Sequence, residues 1–262
     1  MATENAEVRH LKVGALKVEV HPTKRAAGAA AARAIAQSLQ QLNDRGTNIG
    51  VIFAAAASQL ETLRALVGIR GLPWDKVLGF HLDEYIGISS DHPASFRRFL
   101  RENLTQHIQM KEFFEMDGNA HNPEQVCRDY ANKLHSTNPQ LCLLGIGENG
   151  HLAFIDPPEA NFNDPLDMKV VRLDTVCREQ QVAEGWFKSL NEVPESALTL
   201  TIPTLLRVPK LIASVPGSRK AKIMRAALEG PISTECPASI LRTHPDATVY
   251  LDDESASELN GI

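Results

Sequence analysis

The segment Leu141–Phe154, LCLLGIGENGHLAF, joins a short apolar run to a glycine-rich turn that ends in a histidine. Four apolar residues in a row predict a buried strand. Three glycines follow the strand: Gly145, Gly147 and Gly150. Glycines at the carboxyl end of a strand let the backbone approach a ligand closely, because no Cβ intervenes. His151 can exchange protons near neutral pH, and the nearby carboxylate of Asp156 can orient its ring. The segment therefore predicts an active-site loop.

Strand-like and helix-like segments alternate on both sides of this loop. This alternation is typical of a mostly parallel, doubly wound sheet with helices on both faces. We find no linker, repeat or low-complexity tract, so residues 1–262 are interpreted as a single α/β domain. Strands are predicted at Leu16–Val20, Ile49–Phe53, Val77–Leu82, Leu141–Leu144, Val170–Leu173, Leu198–Leu200, Leu211–Val215 and Thr248–Leu251, and helices at Lys24–Leu42, Ser58–Val67, His92–Leu104, Pro123–Leu134, Arg178–Leu190 and Arg219–Leu228.

The composition argues against several functional classes. A net charge of −5 disfavours general nucleic-acid binding, which requires a basic surface. No apolar run is long enough to span a bilayer, and the N-terminus lacks the apolar core of a signal peptide, so no membrane association is expected. The four cysteines stand far apart, which predicts neither a zinc site nor a disulfide framework. We therefore expect a reduced, cytoplasmic protein without a bound metal.

Three other strand-to-helix junctions carry reactive side chains. Ser58 is a suitable N-cap, and the free N–H groups there could hold an anion, although a helix cap alone is commonly structural. Asp83 and Glu84 directly follow an apolar strand. One of these carboxylates is interpreted as a general base, and the alternative is that one of them caps a turn. Arg219 and Lys220 begin a helix, where cations oppose the helix dipole unless an anion lies between them and the N–H groups. This placement favours a phosphate site, with a plain surface lysine as the alternative.

Six motifs occur in an order that resembles the glucosamine-6-phosphate deaminase family. The likeness covers nearly the whole chain from about Ile49 onward, and ordered motifs are more specific than any single one. It implies a Rossmann-like fold similar to those of ribose-5-phosphate isomerase and 6-phosphogluconolactonase. The motifs are FHLDEY (80–85), HPASFRRFLRENL (92–104), GIGENGHLAF (145–154), ALTLTIPTLL (197–206), GSRKA (217–221) and HPDA (244–247).

The resemblance assigns catalytic roles to four residues. Asp83 matches the base that moves a proton between C2 and C1 of the opened amino sugar. His151 matches the histidine that assists ring opening. Asp156 stands where the family usually has a glutamate that completes the histidine's relay, and Asn149 where it commonly has an aspartate on the histidine's other side.

The resemblance also implies a set of substrate-binding residues. Lys220 matches a lysine that binds the substrate phosphate, and Arg178 is the nearest match to a phosphate-binding arginine. The remaining expected contacts are the loop residues Ala56, Ala57 and Ser58, together with Glu84, Gly145, Gly147 and Gly150.

Three positions depart from the family pattern. The loop is commonly Thr-Gly-Gly-Thr-Pro, and here Ala55–Gln59 reads AAASQ. Alanine retains the N–H donor but adopts positive φ only at a cost. Asn149 removes a charge near His151, and Asp156 is one methylene shorter than the usual glutamate.

The sequence thus predicts an enzyme of amino-sugar metabolism that converts glucosamine 6-phosphate to fructose 6-phosphate and ammonia without a cofactor. Galactosamine 6-phosphate as substrate, hydrolysis of a phosphosugar lactone, and a non-catalytic sugar-phosphate sensor remain alternatives. The expected partner is the phosphorylated amino sugar, and a homo-oligomer is left open.

Overall fold

A computed structural model describes residues 7–260 as a mixed α/β fold with a mostly parallel central sheet, which confirms the predicted fold class. Its strands are β1 Arg9–Val13, β2 Leu16–His21, β3 Ile49–Phe53, β4 Val77–His81, β5 Asp83–Tyr85, β6 Glu112–Phe113, β7 Leu141–Leu144, β8 Met168–Arg172, β9 Ser196–Leu200, β10 Lys210–Ser214 and β11 Ala247–Asp252. Its α-helices are α1 Lys24–Asn43, α2 Leu60–Val67, α3 Phe96–Leu100, α4 Pro123–Thr137, α5 Thr175–Ala183, α6 Ile202–Leu206 and α7 Ala221–Glu229.

The main sheet has eight strands in the order β1-β2-β11-β10-β7-β3-β4-β6, and only the β1–β2 pair is antiparallel. From β3 the chain proceeds outward through β4 to β6. It then returns to β7, on the other side of β3, and continues through β10 to β11. The strand order therefore reverses between β3 and β7, and ligands in open α/β sheets bind beyond the carboxyl ends of the strands at such a point.

Alternate side chains of β3 explain why helices cover both faces of the sheet. Val51 and Phe53 pack with α1 and α2, whereas Ile52 between them packs in a second core with α4, α6 and α7. A strand that is buried on both faces reads as a continuous apolar run, as β3 and β7 do. None of the helices within residues 7–260 combines the length and apolar character needed to cross a bilayer.

A second, antiparallel sheet of order β5-β9-β8 was not predicted. Asp83–Tyr85 was interpreted as the point where the chain leaves the sheet, yet it forms strand β5 against β9, which lies more than a hundred residues later in the chain. Three residues are too few to show strand periodicity. This small sheet lies beside the switch point of the main sheet and carries Asp83.

The predicted helices are present, but their bounds differ in the structure. The helix predicted from Ser58 begins at Leu60 after a 3₁₀ turn at Ala57–Gln59, so Ser58 is not its N-cap. The helix predicted at His92–Leu104 begins at Phe96, because Ser95 is its N-cap. It continues as a π-helix at Arg101–Thr105. The helix predicted at Arg178–Leu190 is α5, which begins at Thr175 because Asp174 accepts a hydrogen bond from the Cys177 N–H at 2.6 Å. It ends before Gly185, whose φ is 82°.

Candidate active site

A cleft of about 580 Å³ opens at the carboxyl ends of β3 and β7. The loop that follows β3, the glycine turn that follows β7, strand β5, and helix α5 with the turn after it all contribute to its wall. The lining residues are Ala54, Ala55, Ala56, Ser58, Leu82, Asp83, Phe96, Gly145, Ile146, Gly147, His151, Ala153, Phe154, Gln180, Gln181, Glu184, Trp186 and Lys220.

Asp83 offers the cleft a carboxylate without a protein partner. Its side chain is buried, and no hydrogen bond to it is formed within residues 7–260. Burial, and secondly the charge of Glu84, raise its pKa well above the ordinary value of 3.8. Asp83 is thus free to exchange a proton and holds it more tightly than an ordinary aspartate.

His81 fixes the backbone at Asp83. Its Nε2 accepts a hydrogen bond from the Met116 N–H at 2.8 Å, so its Nδ1 carries the proton and donates to the Asp83 carbonyl oxygen at 2.9 Å. Burial lowers the pKa of His81 to about 3, which keeps the ring neutral.

His151 lines the cleft and is hydrogen-bonded to the buried Asp156 behind it. The imidazole Nδ1 donates to Asp156 Oδ1 at 3.0 Å, which leaves Nε2 for proton exchange. Burial acts to raise the pKa of Asp156, but the hydrogen bond and charge of His151 and the hydrogen bonds from Asn149 and from the Asp174 N–H together lower it. Asp156 is therefore an anion that orients the ring.

The turn around His151 depends on two unusual backbone positions. A Cβ on Gly147 would lie only 2.2–2.4 Å from the His151 ring atoms Cε1, Nε2 and Nδ1, so the ring packs directly on the glycine backbone. Ala153 has a φ of 52°, which few non-glycine residues adopt. It lies in the short turn between His151 and Asp156, which brings the carboxylate back to the ring.

The Asn149 side chain contacts Asp156 and does not lie on the opposite side of the imidazole, the place that the family resemblance implies. Its Nδ2 donates to Asp156 Oδ1 at 2.8 Å and to Asp174 Oδ2 at 3.0 Å. It meets His151 only through the backbone, because its Oδ1 accepts a hydrogen bond from the His151 N–H at 3.1 Å. Its influence on the imidazole therefore passes through Asp156.

Lys220 is a buried cation whose Nζ has no hydrogen-bond or ion-pair partner within residues 7–260. Burial lowers its pKa, while Glu184 and Glu148 act to raise it. It lines the main cleft and an adjoining one, which also contains Ala57 and Gly217. A buried, unpaired lysine at a cleft is a natural partner for an anion. Its neighbour Arg219 is exposed and pairs with Glu148 at 3.2 Å.

The backbone conformation of the loop after β3 explains why alanine is tolerated where the family commonly has glycine. Ala56 is extended, with a φ of −167°, and none of the loop residues has a positive φ, so alanine causes no strain there. Gln59 secures the loop: its Nε2 lies 3.0 Å from Ser58 Oγ, 3.1 Å from the Leu144 carbonyl and 3.2 Å from the Ser214 carbonyl. The loop is thereby tied to the ends of β7 and β10.

Four residues predicted to bind substrate lie outside the lining of the main cleft: Ala57, which lines the adjoining cleft, and Glu84, Gly150 and Arg178. The fully buried Glu84 carboxylate accepts hydrogen bonds from Ser95 Oγ and from several N–H groups at the start of α3, so its role is structural. Arg178 donates to the carbonyl oxygens of Leu190 and Val193 and thus holds the segment that follows α5. Gly150 packs against Cys236 and Ile223, and its φ of 87° allows the chain to turn there.

Sequence reasoning missed the part of the cleft that α5 and the turn after it supply. Gln180, Gln181, Glu184 and Trp186 come from α5 and the turn after it. Glu184 accepts hydrogen bonds from Gln180 Nε2 at 2.8 Å and from Trp186 Nε1 at 3.1 Å. Two adjacent glutamines in the predicted helix were the signal available from the sequence.

His151, Asp156 and Cys177 offer three potential ligand atoms within 4.8 Å of one another. The atoms are already engaged, because Asp156 accepts from His151, Asn149 and the Asp174 N–H. Burial raises the pKa of Cys177 well above its ordinary value, so it is a thiol and not the thiolate that binds metals. This donor set fits a hydrogen-bond network better than a metal site.

A Rossmann-like sheet, a histidine–aspartate pair at its switch point and a buried, unpaired lysine together define a class of sugar-phosphate enzymes. The chain belongs to the family described as glucosamine-6-phosphate isomerases/6-phosphogluconolactonase, whose sequence profile matches residues 22–250.

Individual relatives agree with this family. The chain is 36% identical over 180 residues to a glucosamine-6-phosphate deaminase from Exiguobacterium sibiricum, covering 69% of each chain. It is 36% identical over 213 residues to the enzyme of that name from Clostridium acetobutylicum, covering 79% of this chain and 86% of the relative. A solved monomeric glucosamine-6-phosphate deaminase superposes with a TM-score of 0.85 at 32% identity, covering 92% of this chain and 99% of the other.

Proposed function

We propose that this protein deaminates and isomerises glucosamine 6-phosphate to fructose 6-phosphate and ammonia. The observation that carries the proposal is that Asp83, His151 and Lys220 line one cleft, with Asp156 hydrogen-bonded to His151 behind the cleft wall. The relatives named as glucosamine-6-phosphate deaminases support the same reaction.

Ring opening is the first step, and His151 serves it. Its Nε2 takes the proton of the anomeric hydroxyl and returns a proton to the ring oxygen, which yields the open aldehyde. Asp156 holds the ring in the required tautomer and stabilises the imidazolium that forms.

Proton transfer between carbons is the second step, and Asp83 carries it. The carboxylate removes the proton from C2 while the C1 oxygen is protonated, which gives an enolamine. The proton then goes to C1, and the ketimine at C2 is hydrolysed by water, which releases ammonia and leaves the ketone. A carboxylate with a raised pKa suits this shuttle because it is a stronger base than an ordinary aspartate.

Phosphate binding is assigned to Lys220 and the loop of Ala56, Ala57 and Ser58. The lysine and Ser58 line both the main and the adjoining cleft, which supports a phosphate at their junction. Lys220→Ala should raise KM for glucosamine 6-phosphate by roughly 10-fold or more and leave kcat less affected. Lys222→Ala is the matched control, since Lys222 is exposed on α7. Equal KM values for the two variants would exclude Lys220 from the phosphate site.

Ammonia release from a panel of 6-phosphorylated sugars tests the reaction itself. Glucosamine 6-phosphate, galactosamine 6-phosphate and N-acetylglucosamine 6-phosphate form the panel, and hydrolysis of 6-phosphogluconolactone is followed in parallel. We expect ammonia from the first compound at the highest kcat/KM. Turnover of the lactone alone, or binding without any turnover, would contradict the proposal.

Two further expectations accompany this function. A cytoplasmic location is supported by four buried cysteines, all free thiols. A homo-oligomer remains a prediction, which light scattering of the purified protein tests; the solved deaminase with the similar fold is monomeric.

A further inference from the structure

Asp174 contacts the His151–Asp156 pair by two routes. Its backbone N–H donates to Asp156 Oδ2 at 3.0 Å, and its Oδ2 accepts the amide of Asn149 at 3.0 Å. The same amide donates to Asp156 Oδ1 at 2.8 Å. Asn149 therefore bridges two carboxylates, one of which orients the imidazole.

Helix capping uses only one of the two carboxylate oxygens of Asp174. Its Oδ1 accepts the Cys177 N–H at 2.6 Å, as an N-cap does. Asparagine caps helices as well as aspartate does, so capping does not require the second oxygen. The second oxygen is the one directed at Asn149.

Asn149 is restrained from every side by these bonds. Its Oδ1 accepts the His151 N–H, and its Nδ2 has two acceptors for its two hydrogens. Without Asp174 Oδ2, one amide hydrogen loses its acceptor and the side chain is free to rotate away from Asp156. The Asp156 carboxylate would then be held only by His151 at Oδ1 and by the Asp174 N–H at Oδ2.

We propose that Asp174 is a positioning residue, which holds the His151–Asp156 pair through Asn149. The inference rests on the proposed function for its kinetic consequence, and it links the geometry of the pair to the start of α5. The helix that supplies Gln180 and Gln181 to the cleft is thereby tied to the proton-transfer site.

Asp174→Asn tests this role because the new side chain keeps the cap and loses only the acceptor that faces Asn149. With Oδ1 still on the Cys177 N–H, the new amide nitrogen would face the Asn149 amide nitrogen, donor against donor. We expect kcat to fall roughly 10–100-fold with little change in KM or thermal stability, as for a small misplacement of a reacting group. Asn122→Asp, the reverse exchange at the N-cap of α4, is the control and should leave kcat unchanged.

Rescue by exchange of the two side chains separates positioning from general damage. Asn149→Asp alone should be harmful, because three carboxylates would then meet at positions 149, 156 and 174. In the double variant Asn149→Asp/Asp174→Asn, the amide at 174 can donate to the carboxylate at 149. If the two single effects were independent, their fold-losses in kcat would multiply. We expect kcat of the double variant to be roughly 10-fold higher than that product predicts.

The proton on His151 Nδ1 gives a second readout that does not depend on turnover. Its proton NMR resonance, assigned with His151→Gln, reports the hydrogen bond to Asp156. We expect faster exchange or loss of this resonance in Asp174→Asn and an unchanged resonance in Asn122→Asp. If the wild type deaminates no sugar phosphate, the proposed function fails and the resonance still decides this inference. An unchanged resonance in Asp174→Asn, or an unchanged kcat, would overturn it.

Discussion

At the level of single residues, the cleft combines an unpartnered carboxylate with a tightly held histidine. Asp83 has no hydrogen-bond donor within residues 7–260, whereas Asp156 has several. Burial acts to raise the pKa of both aspartates, but the hydrogen bonds to Asp156 and the charge of His151 outweigh it there, so the pKa is raised for Asp83 and lowered for Asp156. Two aspartates in one site can thus serve as a proton shuttle and as a fixed anion.

Asp83→Asn should lower kcat by roughly 10²–10⁴-fold and at the same time stabilise the fold at neutral pH. The pKa of Asp83 in the folded state is raised above its ordinary value of 3.8. At any pH between 3.8 and the folded-state pKa, the native state therefore binds more protons than the unfolded state. The free energy of unfolding of the wild type therefore falls as pH rises through that window. The free energy of unfolding of Asp83→Asn does not fall in this way. The difference in stability between the variant and the wild type should therefore grow with pH and then level off.

Urea unfolding of both proteins between pH 5 and pH 8, roughly the range where most folds are stable, measures this difference. Asp129→Asn, an exposed site on α4, is the control and should show no pH-dependent advantage. An Asp83→Asn variant that is less stable than the wild type at every pH would show that the carboxylate is not destabilised by burial. The acid limb of the wild-type activity profile should lie above the ordinary aspartate range.

Gly147→Ala should displace the His151 ring, because the added Cβ would lie 2.2 Å from Cε1. The ring would turn away from Asp156, and kcat should fall by roughly 10²-fold. Gly145→Ala is the comparison: its Cβ would meet Gln59 Nε2 at 3.2 Å and leave His151 untouched. We expect that variant to affect KM more than kcat. Similar kcat values for the two variants would show that the ring accommodates the methyl group.

At the level of elements, helices α1 and α2 pack at a glycine. A Cβ on Gly28 would lie 2.7 Å from Glu61 Cβ and 2.8 Å from the Glu61 carbonyl carbon. This close contact sets the position of α2 and hence of the loop that precedes it, which lines the cleft. Glycine is otherwise unfavourable inside a helix by about 1 kcal/mol relative to alanine, so close packing is the reason for it here.

Gly28→Ala should therefore destabilise the protein, although helix propensity alone favours alanine. We expect overpacking of about 1–3 kcal/mol to outweigh the gain of about 1 kcal/mol. Gly68→Ala, at the end of α2, is the control, since its Cβ would approach no neighbour closer than 3.4 Å. Thermal unfolding of both variants measures the effect. A Gly28→Ala variant as stable as the wild type would mean that α1 and α2 separate without cost.

At the level of the whole molecule, the cleft joins parts that are distant along the chain. Its wall draws on the ends of β3, β5 and β7, on α5 and on the turn before α7. Strand β2 pairs with β11, so the two ends of the described chain share one sheet. A ligand that contacts all of these parts should stabilise the fold as a unit.

Fructose 6-phosphate should raise the melting temperature by mass action. At a concentration of about 100 times Kd, the expected gain is about 2.7 kcal/mol, which corresponds to a shift of roughly 5–10 °C for a chain of this size. Fructose without the phosphate should give a much smaller shift, and Lys220→Ala should remove most of the difference between the two sugars. Equal shifts by both sugars would place the main binding contacts away from the phosphate.

The sequence by itself determined the fold class and brought Asp83, His151 and Lys220 to one cleft. Apolar runs such as β3 and β7 are confirmed as buried parallel strands, because a strand covered on both faces admits few polar residues. Asp83, His151 and Lys220 follow such strands, and the carboxyl ends of parallel strands meet at one edge. That inference requires only local pattern and the geometry of the fold.

The tertiary structure decided which neighbouring side chains act in the cleft and which support it. Asp83 and Glu84 are adjacent in sequence, yet Asp83 faces the cleft while Glu84 holds the start of α3, because successive side chains of β5 point to opposite faces. The register of β5 is set by its pairing with β9, which is far away in the chain. Asp174 meets Asn149 only because α5 begins beside the glycine turn. Contacts of this kind depend on packing between distant segments, which no local pattern records.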